Sequence, residues 1–219
     1  MKISKRLKAI AKHVNKNEIL ADIGSDHALL PCYLVKNNVI SKAYACDIND
    51  KPLLQAKRNI EKNLLSDNIT TILASGISLL PVDTKQIVIA GMGFETIKDI
   101  LENDIDKLNS FNRIIVQSNT DVDMLRQWIS DHHYNILEED IVYDGFYYQI
   151  IVFNTTYADS LNEDDILLGV SKNHVLYNDM WAYKLKIYNN IISGLEDNND
   201  KYTEISNIIK LIKRTIKGL

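Results

Sequence analysis

The chain has 219 residues, 46% hydrophobic and 25% charged, with three prolines and eight glycines, proportions that exclude a disordered or fibrous polypeptide. That length allows one large domain, or one domain with a small appendage. A net charge of -4 excludes a broadly basic nucleic-acid coat, so any RNA-binding surface must be local.

The opening residues, Met1-Lys2-Ile3-Ser4-Lys5-Arg6, are charged and lack the apolar stretch of about 7 to 15 residues that an export signal needs. Nowhere does the sequence reach the roughly 18 uninterrupted apolar residues of a membrane span, so a cytoplasmic protein without a membrane partner is expected. Leu7, Ile10, Ala11 and Val14 recur at helical spacing, with Lys5, Lys8 and Lys12 on another face. These lysines and Arg6 are candidate RNA contacts, although a charged helix face is also a common solvated surface.

A short apolar run over Ile19 to Ile23 ends at Asp22-Ile23-Gly24-Ser25-Asp26-His27, and a helix resumes over Ala28 to Val35, which is the opening of a βα unit. The unit repeats. Strands are expected over Lys42 to Ile48, Ile69 to Ala74, Gln86 to Ala90 and Arg113 to Gln117. They end respectively at Asp47, Ser75-Gly76, Gly91-Met92-Gly93 and Ser118-Asn119-Thr120. Helices are expected over Lys51 to Leu65 and from about Glu95 to Leu101, and Thr120 with Asp123 reads as the cap of one containing Leu125, Trp128 and Ile129. Cys32 and Cys46 form no CxxC and have no nearby His pair; they read as small core residues rather than disulfide or metal partners, and no metal is expected. Strands alternating with helices predict a parallel, doubly wound α/β sheet.

The rhythm breaks at Tyr134. Runs over Asn135 to Tyr143 and Phe146 to Phe153 flank Asp144-Gly145, a dipeptide favouring positive φ at both centres of a two-residue hairpin turn. An antiparallel hairpin at the end of the sheet distinguishes a methyltransferase sheet from a plain NAD-binding one. Residues 154 to 162 read as a polar linker, giving domains 1–155 and 156–219. In the second, Trp181, Leu185, Tyr188, Ile192 and Leu195, then Tyr202, Ile205, Ile209, Ile212, Ile216 and Leu219, follow a 3.5-residue rhythm. Two heptad-like helices around the polar segment Glu196 to Asp200 predict a helical coiled-coil hairpin. Lys210, Lys213, Arg214 and Lys217 form a second basic patch.

Ligands of open α/β sheets bind beyond the carboxyl ends of the strands. Gly24 permits a sharp turn and close backbone approach. The loop lacks the further glycines of G-x-G-x-x-G, and Asp26 in one of those places would repel a pyrophosphate, so a ligand without phosphates is preferred. Asp47 stands where an acidic residue accepts ribose hydroxyls, its alternative being a solvated turn aspartate. Ser75-Gly76 and Gly91-Met92-Gly93 would close over the rest of an adenosyl ligand.

Asp22-Ile23-Gly24-Ser25-Asp26-His27-Ala28-Leu29-Leu30-Pro31, with Ile87-Val88-Ile89-Ala90-Gly91-Met92-Gly93, closely resembles the bacterial tRNA (adenine(22)-N1)-methyltransferase family. The resemblance runs from Ser4-Lys5-Arg6-Leu7 to about Phe153 and more loosely over the tail. It implies a class I methyltransferase fold with a C-terminal coiled coil, S-adenosylmethionine as cofactor and tRNA as substrate. Carried over by position, it implies cofactor contacts at Asp22, Gly24, Ser25, Asp26, His27, Asp47, Ile48, Ser75, Gly76, Gly91 and the adjoining Met92. Two positions depart from the pattern: Phe94 stands where a glycine is common, and Ser118 where a proline is common.

For the adenine edge the candidates are Asn119 and Gln117, which offer donors and acceptors, with Asp26 and His27. Asn119 and Gln117 could instead satisfy loop backbone, His27 could be a scaffold rather than a base, and Phe94 could stack on the base or belong to the core. Rival functions are a small-molecule methyltransferase and a non-catalytic RNA-binding module on the same fold. A monomer is expected, with dimerisation through the coiled coil as the alternative.

Overall fold

The computed structural model describes residues 1–196 and 200–216. The chain divides into two compact units, Met1–Leu161 and Asn162–Leu219. The boundary falls after Leu161 rather than after residue 155, because the last strand continues through residues that read as linker.

In the first unit, α1 (Lys5–Lys12) precedes β1 (Leu20–Ile23), α2 (Leu29–Lys36), β2 (Ala43–Asp47), α3 (Asp50–Lys62), β3 (Ile69–Leu73) and β4 (Gln86–Met92). Then come α4 (Phe94–Glu102), a 3₁₀ turn (Ile105–Ser110), β5 (Arg113–Ser118), α5 (Val122–Asp131), β6 (Tyr134–Tyr143) and β7 (Tyr147–Tyr157). The strands form one seven-stranded sheet in the order β3-β2-β1-β4-β5-β7-β6. β1 pairs in parallel with both β2 and β4, which makes the gap between β1 and β4 the point where the chain reverses its direction of winding. β7 is antiparallel to both β5 and β6.

The two-residue period of the strands sorts the core into two layers. Leu20, Val88, Ile115, Ile150 and Val152 pack in one buried cluster with Ile10, Leu30, Leu34 and Ile60, which come from α1, α2 and α3. Their strand neighbours Ala21, Ile87, Ile89, Ile114, Val116, Ile151 and Phe153 pack in the other, with Ile97, Leu101, Leu125 and Trp128 from α4 and α5. Both cysteines are fully buried, and burial pushes the Cys32 thiol up to about 11 and the Cys46 thiol up to about 12. Phe94 is also a core residue.

Two local expectations are corrected. The β6–β7 turn holds three residues, because Tyr143 pairs with Tyr147; only Gly145 has positive φ (82°), and Asp144 N–H donates to the Phe146 carbonyl at 2.9 Å. One left-handed glycine suits a three-residue loop, whereas the type I′ two-residue turn expected for Asp-Gly needs two positive-φ positions. Thr120 does not cap α5, whose N-cap is Asp121 without a side-chain bond. Thr120 Oγ1 instead accepts from Phe94 N–H at 3.4 Å, which ties the end of β5 to the start of α4.

Helix α1 is held at both ends. Ser4 Oγ accepts from Leu7 N–H at 3.1 Å, a side-chain N-cap. His13, its C-cap, bonds Glu138 at 2.8 Å and Asp140 at 3.1 Å on β6. Arg113 adds Nε to the His13 carbonyl at 2.6 Å and a guanidinium contact to Glu138. Burial alone would lower the His13 pKa, but hydrogen bonds to the two carboxylates outweigh it, so the ring is held above its ordinary value.

Among the described residues the second unit has three helices, α6 (Glu163–Leu168), α7 (Tyr177–Ile192) and α8 (Asp200–Thr215). The short α6, capped by the Asn162 side chain on Asp165 N–H at 2.9 Å, was hidden among polar residues that carry no periodicity. Trp181 and Leu185 of α7 and Ile205, Ile209 and Ile212 of α8 are buried, in agreement with the heptad spacing, and Trp181 Nε1 donates to the Leu168 carbonyl at 3.2 Å. Arg214 pairs with Asp164 at 2.8 Å, and Lys210 and Lys213 are exposed. Lys217, Leu219 and residues 197–199 of the expected turn lie outside the described residues.

Candidate active site

The loop after β1 is built from alternating backbone signs, with φ of +70° at Gly24, +38° at Asp26 and +51° at Ala28. It is tied down by Ser25 N–H on the Cys46 carbonyl at 2.8 Å and by Asn59 Nδ2 on the His27 carbonyl at 2.8 Å. A Cβ at Gly24 would overlap the methyl of Met92, so this strand end and the β4 end meet in direct contact. At Gly91, φ +84°, β4 bulges: Ala90 pairs with Gln117, but Met92 pairs with Ser118. The bulge turns Gly91 out of the ladder between β4 and β5.

These strand ends enclose a cleft of about 530 Å³. Gly24, Asp47, Ile48, Ser75, Gly76, Gly91 and Met92 all border it, as do Asn49, the α4 residues Thr96, Asp99 and Ile100, and the α4 C-cap Asn103. The α4 wall was missed by the sequence reading, although these residues recur at helical spacing. A second cleft of about 240 Å³ shares Gly24, Ala90 and Gly91 with the first. Asp22, Ser25, Asp26 and His27 line it, so the expected cofactor residues fall into two adjoining groups rather than one.

Asp22 is buried and accepts from Ser25 Oγ at 2.6 Å. Burial lifts its carboxyl to about 7; the Ser25 bond opposes this, and the nearby charge of Asp47 adds to it. Asp47, at the end of β2, is 8% exposed, with Oδ1 accepting from Asn49 N–H at 2.9 Å. His27 Nε2 lies 3.3 Å from Asp26 Oδ2, and both side chains are open to solvent.

Two candidate residues have partners within the protein. Arg6, expected on the outer RNA-binding face, is half-buried and borders the smaller cleft. Its Nη1 donates to Gln117 Oε1 at 2.7 Å, its guanidinium lies 5.3 Å from the Tyr148 ring centroid, and its backbone N–H donates to Asp144 Oδ2 at 3.1 Å. Gln117, expected to read the adenine edge, is fully buried, with Nε2 donating to Asn119 Oδ1 at 3.1 Å. Both ends of its amide are therefore engaged within the protein. Asn119 is exposed; its Nδ2 donates to the Gly91 carbonyl at 2.7 Å and its N–H to the Met92 carbonyl at 2.7 Å. Arg6, Gln117, Asn119 and Gly91 thus form one hydrogen-bonded chain from α1 to the β4 bulge. Ser118, at the other departure from the family pattern, donates its hydroxyl to the Thr120 carbonyl at 2.5 Å, closing the turn that a proline would otherwise stiffen. Lys5, Lys8 and Lys12 are exposed, as expected.

The sheet order, the antiparallel β7 and the paired clefts at the carboxyl ends of β1, β2 and β4 define a class I methyltransferase domain. A family model described as "Methyltransferase domain" matches residues 3–151. The tRNA (adenine(22)-N(1))-methyltransferase of Bacillus subtilis is 33% identical over 99% of this chain and 98% of its own length. The chain belongs to the tRNA (adenine(22)-N1)-methyltransferase family. Among solved structures, Mycoplasma capricolum TrmK with S-adenosyl-homocysteine is 38% identical, with a TM-score of 0.87 over 99% of this chain and 100% of that one. Streptococcus pneumoniae Sp1610 in complex with S-adenosyl-L-methionine is 30% identical, with a TM-score of 0.89 over 98% of this chain and 100% of that one.

Proposed function

We propose that this chain binds S-adenosylmethionine in the larger cleft and transfers its methyl group to N1 of the adenine at position 22 of tRNA. The observation that carries the cofactor assignment is the donor set: among the described residues the larger cleft is lined by Asp47 and Asp99 and by no lysine, arginine or histidine. A pyrophosphate would find no cation there, whereas a sulfonium meets favourable charge. The glycines at positions 24 and 91 let Met92 and Arg6 pack closely against the strand ends that border the cleft. Asp47 would accept the ribose hydroxyls, Ser75 and Gly76 would border the adenine, and Asp22 and Ser25 would face the methionine end.

When bound, S-adenosylmethionine supplies an electrophilic methyl group. Adenine N1 carries a lone pair and no proton, so no residue needs to act as a strong base before transfer. The chain's own task is alignment and exclusion of water, an effect of roughly 7 to 11 kcal/mol in well-oriented systems. Asn119, held by the Gly91 carbonyl, and Asp26 and His27 border the approach of an extruded base, whose unstacking costs a few kcal/mol. Exposed Lys5, Lys8 and Lys12 supply phosphate contacts. Because α7 and α8 already bury their apolar seam against one another, a cytoplasmic monomer is the proposed working form.

The direct test is incubation of unmodified tRNA transcripts with the protein and labelled cofactor, followed by mass spectrometry of the nucleosides. The expected product is 1-methyladenosine at position 22, absent when that base is changed. A label found only in small molecules would favour the rival small-molecule enzyme.

The Asp22 pKa adds a pH prediction. Its folded value of about 7 lies above the ordinary carboxylate value of 3.8, so its contribution to stability is complete below the lower value and is lost as pH rises through the higher. A cationic ligand prefers the carboxylate, so cofactor affinity should rise with pH, by up to about tenfold per unit below the folded pKa, and level off above it. Calorimetry in two buffers of different ionisation enthalpy reads the accompanying proton release; equal affinity and no proton release on both sides of neutrality would refute this.

A further inference from the structure

The β6–β7 turn carries apolar surface that the sheet does not explain. Phe146 at its tip is 62% exposed and Tyr143 at its base 48%, and the Tyr143 and Tyr147 rings lie 4.9 Å apart between centroids. Aromatic side chains of this size are ordinarily covered, and burying Phe146 would have been available to the fold had it served only the core. The turn is not loosely attached. Asp144 accepts the N–H of the Lys5–Arg6 peptide, and the Arg6 side chain, which borders the smaller cleft, crosses the Tyr148 ring to the buried Gln117. One arginine side chain therefore separates the aromatic tip from the cleft where the target base is proposed to enter. The helix bonded to the tip also presents exposed Lys5, Lys8 and Lys12.

From this placement we infer that the β6–β7 turn is a stacking platform, on which Phe146 and Tyr143 receive an unpaired nucleobase of the tRNA close to the methylated adenine. The inference rests on the reading of tRNA as substrate. The argument for a nucleic-acid occupant is charge complementarity: a planar apolar tip fastened to a lysine-bearing helix matches a base with its phosphates, because stacking takes the base and the cations take the backbone. When the target adenine is extruded, its neighbours lose a stacking partner, and an aromatic surface beside the cleft replaces it.

Phe146→Ala should weaken tRNA binding by about tenfold, and Phe146→Trp should restore it. Since stacking releases no counterions, the salt dependence of binding should keep its slope in Phe146→Ala, whereas Lys8→Ala should reduce that slope by about one. Phe146→Trp also provides a direct readout. The native Trp128 and Trp181 are buried, so a tryptophan at the tip should dominate any quenching of emission when saturating tRNA is added. Affinity unchanged in Phe146→Ala together with no added quenching in Phe146→Trp, while the native chain binds and methylates tRNA, overturns the platform alone. Failure of the native chain to bind tRNA overturns the substrate reading and the platform together.

Discussion

Asp47→Ala is expected to weaken S-adenosylmethionine binding by at least about 100-fold, since two hydrogen bonds to a charged acceptor contribute about 1.5 to 3 kcal/mol each. The carboxylate stands at the end of β2 with one oxygen on Asn49 N–H, on the wall of a cleft that Asp99 also lines. The apo protein should lose little stability, because removing Asp47 also removes a negative charge that raises the Asp22 pKa. Asp47→Asn keeps one acceptor oxygen and should fall between the two. Isothermal calorimetry with the cofactor, alongside thermal melts of the apo proteins, checks this. An affinity within about fivefold of the native value would remove Asp47 from the binding site and with it the proposed orientation of the adenosyl group.

The second large effect concerns a residue that touches both α1 and the β4 bulge. Arg6→Ala should lower the turnover number by about 100-fold, the order of loss that a misplacement of about 1 Å produces, while changing cofactor affinity little. Removing the guanidinium leaves the buried Gln117 Oε1 without its donor at 2.7 Å. The Gln117 amide then no longer holds Asn119, and Asn119 no longer holds the Gly91 carbonyl in one place. Arg6→Lys should not rescue, since an ammonium lacks the planar fork that lies over Tyr148 while reaching Gln117. Single-turnover rates separate this from simple loss of RNA affinity: a variant whose rate recovers at saturating tRNA would make Arg6 a phosphate contact, as the basic composition of α1 first suggested.

The fate of Arg6 illustrates how far a sequence can be read. Lys5, Lys8 and Lys12 lie where helical spacing puts them, on the outer face, because a helix face is a local property. Arg6 lies on the same helix, yet its partners are Asp144, Tyr148 and Gln117, all more than a hundred residues away. No spacing rule brings those positions together. Gln117 shows the same limit: a polar residue at a strand end looks available, and only the fold places the arginine that bonds it. The α4 wall of the cleft could have been found from its helical spacing, but only once the helix was known to border the ligand side.

What the sequence determined by itself were the properties set within a few residues: strands with a two-residue apolar period, helices between them, glycines at the strand ends, and an antiparallel hairpin. Gly24, Asp47, Ser75 and Gly91 were legible as cleft-lining positions because ligand sites of such sheets form where strands stop, and the stops are local signals, whereas Asp22 came only from the family resemblance. The tertiary structure alone decided how those residues divide between two adjoining clefts, which polar groups are already satisfied, and how Arg6 is drawn inward. Those outcomes depend on contacts between distant segments, whose geometry is settled by the packing of both core layers around the sheet and leaves no periodic trace in the chain.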